Sequence, residues 1–151
     1  MINLTAKNHQ LLFTMELAPS NELLYGNLEL KYPEGTAIDY LATSGCAQWQ
    51  QPEDQSAIAR GPIPAGRYQI PTTPYWLDTR GVEGWFFHIT PDPVVIAGVS
   101  RGEFGIHFDA NVPGSAGCIA LQRISGWKRF CERMEAIAKC GIESLPLEVR
   151  Y

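Results

Sequence analysis

The chain has 151 residues, 45% of them hydrophobic and 19% charged, which is the composition of one globular domain able to bury a core and not of a disordered segment. Its formal net charge of -4 argues against the clustered-cation footprint of a nucleic-acid binder, and no apolar run approaches the length of a membrane span. With 14 glycines and 11 prolines the chain is rich in turns, which points to a β-rich fold.

Met1 to Ser20 has no basic leader, and Asn8, His9, Gln10 and Glu16 interrupt its apolar residues, so it does not read as a secretory signal. The protein is therefore expected to be made in the cytoplasm. From Leu11 to Leu17 the residues Leu11, Phe13, Met15 and Leu17 alternate onto one face, the signature of a strand. Leu24, Leu28, Leu30 and Tyr32 repeat the pattern with Gly26 interrupting it, and Gly35 separates them from a third strand at Ile38 to Ala42. Ala47 to Ala65 is polar and proline-bearing, and reads as a long loop. Arg67 to Ile70 resumes as a strand with Tyr68 and Ile70 inward. Trp85, Phe87 and Ile89 share one face of the next strand, and Phe104, Ile106 and Phe108 one face of another.

Between Ile124 and Lys139 the period changes. Ile124, Trp127, Phe130, Cys131, Met134, Ile137 and Ala138 recur at helical spacing, giving one apolar stripe, and Gly141 after Cys140 is a helix stop. The basic residues Arg123, Lys128, Arg129 and Arg133 spread along this helix read as a solvated face. Leu145, Leu147, Val149 and Tyr151 alternate as a closing strand. The whole predicts a mainly β domain (β-rich α+β) spanning residues 1–151, with one packed C-terminal helix.

The four cysteines, Cys46, Cys118, Cys131 and Cys140, form no CxxC pair and have no histidine at zinc-ligand spacing, so neither a metal nor a cofactor is implied. A disulfide among Cys46, Cys131 and Cys140 cannot be read from the sequence, and buried free thiols are the plainer reading.

One segment points to chemistry. In Phe104-Gly105-Ile106-His107-Phe108 the alternation sends His107 to the face opposite the core, beside Gly105, which leaves space next to the imidazole. A turn-rich link, Asp109 to Pro113, leads to Gly114-Ser115-Ala116-Gly117-Cys118 and then to the apolar Ile119-Ala120-Leu121. A cysteine placed after such a run sits on backbone able to offer N–H groups, as an oxyanion hole requires, so Ser115, Ala116 and Gly117 are the candidate loop and oxyanion residues. A thiol becomes a useful nucleophile beside a base, and His107 is close enough in sequence to return against Cys118. Asp109 or a backbone carbonyl would orient the ring. The bland alternative is a core histidine and a buried cysteine joined by an ordinary glycine loop.

Other residues carry weaker signals. Tyr75 and Trp76, with Trp85 and Phe86, could line a substrate groove, although aromatics in a β-rich domain more often fill the core. Arg101 and Arg123 could fork a substrate carboxylate, with solvated surface charge as the plainer account. His88, on a face with Phe86 and Thr90, reads as a satisfied or surface histidine.

His107 followed by Ser115-Ala116-Gly117-Cys118-Ile119 resembles the His … Ser-x-Gly-Cys signature of the L,D-transpeptidase catalytic domain. Gly61-Pro62-Ile63-Pro64-Ala65-Gly66-Arg67-Tyr68 is similar to the segment preceding that site, and Ser44-Gly45 also fits. The likeness covers roughly residues 38 to 125 and is greatest to a short, signal-less branch described as type VI secretion effectors that attack peptidoglycan. Ala116 and Ala120 stand where the broader family carries a histidine and an arginine. The resemblance implies an L,D-transpeptidase-like β domain in which Cys118 is the nucleophile, His107 the base, and Ser115 and Gly117 shape the loop. It implies an enzyme that cleaves or exchanges the L,D peptide bond of peptidoglycan stem peptides through an acyl-enzyme, as an L,D-carboxypeptidase or a transpeptidase. A toxin of this kind would be delivered to the periplasm of a target bacterium and would have a cognate immunity protein as partner. Two other readings stand beside it. One is a non-catalytic β module binding cell-wall glycan or a partner protein. The other is a cysteine amidase of another class, against which the order His before Cys counts.

Overall fold

The computed structural model describes residues 8–110 and 113–151, so the start of the N-terminal reading and the centre of the Asp109–Pro113 link lie outside the described residues. Eleven strands and one helix follow in the order β1 (Gln10–Thr14), β2 (Gly26–Lys31), β3 (Ala37–Ser44), β4 (Gly66–Pro71), β5 (Tyr75–Leu77), β6 (Gly84–His88), β7 (Val94–Ile96), β8 (Val99–Arg101), β9 (Gly105–Phe108), β10 (Ile119–Leu121), α1 (Ile124–Lys139) and β11 (Ser144–Arg150). Nine strands form one curled sheet, ordered β4-β11-β1-β2-β3-β10-β9-β6-β5, while β7 and β8 pair separately as a hairpin. Gln69 and Thr90 exchange backbone hydrogen bonds of 2.7 and 3.0 Å, joining β4 to the chain just beyond β6, so the sheet curls back onto itself. Among the described residues no helix is long and apolar enough to cross a membrane.

The alternation seen in the sequence sets which side faces in. Leu11 and Phe13 pair in register with Leu30 and Leu28 on one side and with Leu147 and Val149 on the other, and all six are buried. Tyr68, Ile70, Phe87, Ile89, Ile106 and Ile119 continue the same inner surface. The helix lays Trp127, Phe130, Met134 and Ile137 against it, with Phe130 edge-on to Tyr40 at 5.4 Å and to Phe87 at 5.4 Å. It ends where Gly141 takes φ +90°, a conformation glycine adopts without strain.

Several expectations are revised. Trp85 lies on the face of Phe87 but is 47% exposed, because it sits past the core against Trp76, and Phe86 on the other face is buried. The Ala47–Ala65 stretch is not loose. It holds a 3₁₀ turn at Pro52–Ser56 and buries Gln50, Asp54 and Ile63. Gln50 accepts the Leu24 N–H at 2.7 Å and donates to Thr43 Oγ1 at 3.0 Å, pinning the segment to β3. The β5 strand and the β7–β8 hairpin were not expected, being only three residues each.

Because Phe130 joins helix to sheet through two aromatic contacts, Phe130→Ala should lower unfolding free energy by about 3–5 kcal/mol, the usual cost of a large cavity. Urea denaturation followed by circular dichroism measures it.

Candidate active site

The strands β9 and β10 are parallel neighbours, with Ile119 beside Ile106 and Ala120 beside His107. Side chains in register on adjacent strands point to the same face, so the inner face takes Ile106 and Ile119. His107 and Ala120 go to the outer face, and Cys118, one residue before β10, comes alongside Gly105. Cys118 and His107 are thus diagonal neighbours, about 8 Å apart between Cα atoms from strand spacing and rise.

His107 is buried, 4% exposed, and its Nδ1 faces the Phe108 carbonyl oxygen at 2.8 Å. With Nδ1–H donating there, Nε2 is left as the basic nitrogen. Burial lowers the imidazole below its ordinary value, so the ring rests neutral. The place beside it is not open. A Cβ on Gly105 would run into the Phe86 ring, which fills that space and stacks on His107 at 6.1 Å and 21°. Gly105 is required so that this aromatic wall can form.

Asp109, the expected orienter, is engaged elsewhere. Its carboxylate accepts the Gly114 N–H at 2.9 Å and Gln122 Nε2 at 2.8 Å, closing the loop that links the two strands. Among the described residues only the Phe108 carbonyl holds the ring by a hydrogen bond.

Cys118 is half-buried at the surface yet densely surrounded, and its thiol donates to the Glu103 carbonyl at 3.7 Å. No hydrogen bond joins the sulfur to His107 among the described residues. Desolvation pushes the thiol up to about 11, opposed by the N–H groups of Gly105 and of Cys118 itself and by the charge of Arg101. Those two N–H groups are the ones directed at the sulfur. The N–H groups of Gly114, Ser115 and Gly117 are already bonded, to Asp109 Oδ2, Gly45 O and Ser115 Oγ, so these three donors of the run are engaged.

Ser115 is the hub of that run. Its hydroxyl accepts from Gly45 N at 3.1 Å and Gly117 N at 3.2 Å and donates to the Cys118 carbonyl. Ser44 donates to the Gly117 carbonyl at 2.8 Å and accepts the Ile63 N–H at 2.8 Å, tying the run to the Pro62–Pro64 segment. Ala116 is exposed, and its carbonyl accepts from Arg101.

The remaining candidates separate. Tyr75 is on the outer face, 45% exposed, 5.5 Å from the Phe86 ring and near enough to the thiol to feel its charge. Trp76 turns to the opposite face, edge-on to Trp85 at 5.3 Å, where both line a cleft of about 460 Å³ beside α1, so Tyr75 and Trp76 do not line one groove. Arg123 is exposed at the start of α1 on a different surface. Arg101 is buried, 4% exposed, and is neither a solvated charge nor a free carboxylate fork. His88 forms a 2.8 Å pair with Asp92 on the same outer face as Tyr75. Cys46, which carried no sequence signal, donates to the Ser115 carbonyl at 3.3 Å; all four cysteines are free. Among the described residues no three His, Cys, Asp or Glu side chains converge to hold a metal ion.

Compared with known proteins, the chain matches no family model, no curated protein and no solved structure.

With the thiol at about 11, its thiolate fraction rises about tenfold per pH unit throughout the neutral range. Alkylation of Cys118 by iodoacetamide should therefore climb from pH 7 to pH 10 without a plateau, as read by peptide mass spectrometry. A rate that bends over near pH 9 and levels off by pH 10 would show an ordinary exposed thiol.

Proposed function

We propose that the protein is a cysteine-nucleophile enzyme acting on the L,D peptide bond of peptidoglycan stem peptides, of the L,D-transpeptidase type. The observation that carries this reading is the pairing of β9 with β10, which sets Cys118 and a backbone-oriented His107 on one face of adjacent parallel strands. Residues 107 and 115–118 at this site are also those of the sequence resemblance.

In this reading the Cys118 sulfur attacks the carbonyl carbon of the scissile bond. Its proton passes to His107 Nε2 in the same step, because burial disfavours a standing thiolate–imidazolium pair. The N–H groups of Gly105 and Cys118, which favour negative charge at the sulfur, are the candidate donors to the carbonyl oxygen as it becomes negative. Collapse of the tetrahedral adduct breaks the C–N bond, the amine leaves with the proton from His107, and the acyl group stays on sulfur. Water then gives the trimmed peptide, and an amine gives an exchanged one. Water is the favoured acceptor in this reading, since Gln50 ties the Ala47–Arg60 stretch, the candidate cover, to Leu24 and Thr43. Delivery to the periplasm of a target bacterium as a type VI secretion effector, with a cognate immunity protein, belongs to the same proposal.

Cys118→Ala should abolish conversion of tetrapeptide to tripeptide muropeptides without unfolding the protein; mass spectrometry of muropeptides before and after incubation is the test. Equal turnover by the variant would rule out Cys118 as the nucleophile, and no turnover by the wild type would leave a non-catalytic β module as the better account.

His107→Ala should lower kcat/KM by about two to four orders of magnitude. Because the imidazole lies below its ordinary 6.5, the acidic limb of the wild-type pH–rate profile should fall below pH 6.5, and the variant should lose it. If His88→Ala does the damage instead, the base is misassigned.

A further inference from the structure

Arg101 ends β8, the strand of the small hairpin that stands outside the curled sheet. Its guanidinium makes four bonds to backbone carbonyls: Nη1 to Gln55 O at 3.0 Å and Pro62 O at 2.6 Å, Nη2 to Gly61 O at 3.0 Å and Ala116 O at 2.9 Å. All four terminal N–H groups are thereby used, which removes the fork a carboxylate would need. It also lies 5.0 Å over the Phe104 ring. Among the described residues no carboxylate forms an ion pair with it. A buried cation satisfied only by neutral carbonyls keeps its net charge uncompensated, and such a charge is costly unless something nearby becomes negative.

What lies nearby is the nucleophile's own loop. A Cβ at Gly117 would stand 2.5 Å from the Phe104 ring and 2.7 Å from Arg101 Nη2, and Gly117 also takes φ +132°, so glycine is needed there both for its backbone conformation and to let the ring and the guanidinium in. Cys118 is the next residue. We propose that Arg101 is the positioning residue of this site, fixing the Ala116–Gly117 backbone under the thiol and supplying the positive charge that a negative sulfur at Cys118 faces. The inference rests on the proposed acyl transfer. As the S–H proton leaves for His107, the electron pair stays on sulfur, and the guanidinium offsets the new charge without moving. A guanidinium suits the task because it stays charged even where burial lowers its proton affinity.

Other groups also act on the sulfur. Glu103 opposes ionisation, the Tyr75 phenol on β5 and His107 on β9 share the outer face, and the Tyr68 and Tyr151 phenols lie around Arg101. The test must therefore change Arg101 alone. The full-length chain is alkylated with iodoacetamide across pH, Cys118 is followed by peptide mass spectrometry, and folding is checked by circular dichroism and thermal midpoint. Arg101→Met should raise the Cys118 ionisation midpoint by about one unit, an about tenfold slower alkylation at fixed pH. Ser44→Ala, which removes the bond to the Gly117 carbonyl but no charge, should leave the midpoint in place. A folded Arg101→Met protein with the wild-type midpoint overturns the proposal.

Should Arg101→Met fail to fold, Arg101→Lys decides, because lysine keeps the charge with fewer bonds. A midpoint within about half a unit of wild type, with lowered thermal stability, supports the charge role, and a midpoint raised by about one unit overturns it. Muropeptide turnover is scored separately. A shifted midpoint in a protein that turns over no muropeptide would sink the acyl-transfer reading while leaving Arg101's effect on the thiol established.

Discussion

Parallel strands are ordinarily joined by a crossover of a dozen residues or more, commonly a helix, because the chain must travel back along the full strand before pairing again. Here the return from Phe108 to Ile119 is made by the link between β9 and β10, with no helix among its described residues. A connection that short has no room to wander. Its described second half is tied at three points, to Asp109 by Gly114, to Gly45 by Ser115, and to Ser44 by Gly117. The same ties hold Cys118 alongside Gly105 and set it diagonal to His107. The site is the product of a topological shortage, and each hydrogen bond of the loop follows from it.

The price of that geometry is an environment unfriendly to charge. The thiol is pushed up and the imidazole down, each by desolvation, so the neutral pair is the resting state. Two influences act the other way: N–H groups at the sulfur and the buried guanidinium beneath the loop. Arg101 arrives from a separate hairpin, which gives that hairpin a function beyond covering surface. Its carbonyl contacts also draw the Pro52–Pro64 region against the Gly114–Cys118 run, joining two stretches that the sequence places far apart.

Much of the fold was legible because it obeys simple periods. Leu11 and Phe13, Leu28 and Leu30, and Leu145 to Val149 alternate strictly and lie inward, and the 3.6-residue stripe marks the helix from Ile124 to Lys139. The short strands escaped, since three residues hold too little alternation to register, and the Ala97-Gly98 turn lacks the usual asparagine or aspartate. At the site, the outward direction of His107 followed from alternation, whereas its surroundings did not. Gly105 suggested open space, but space beside a glycine is available to any neighbour, and Phe86 takes it. Asp109 suggested an orienter by proximity in sequence, yet the loop's unpaired N–H at Gly114 claims it. Arg101 was unreadable for a general reason: a side chain bonded only to main-chain carbonyls leaves no partner in the sequence to recognise.

The bridge between Gln69 and Thr90 has a consequence for how copies of the chain meet. An open sheet presents rows of unpaired N–H and C=O groups at its flanks, and such flanks are templates for another molecule's strand. By linking β4 to the end of β6, the bridge occupies part of both flanks at once. Of the nine-stranded sheet, the borders left are β5, three residues long and carrying the bulky Tyr75 and Trp76, and the part of β4 beyond the bridge at Gln69. The bridge thus shortens the length of border on which another molecule's strand could add.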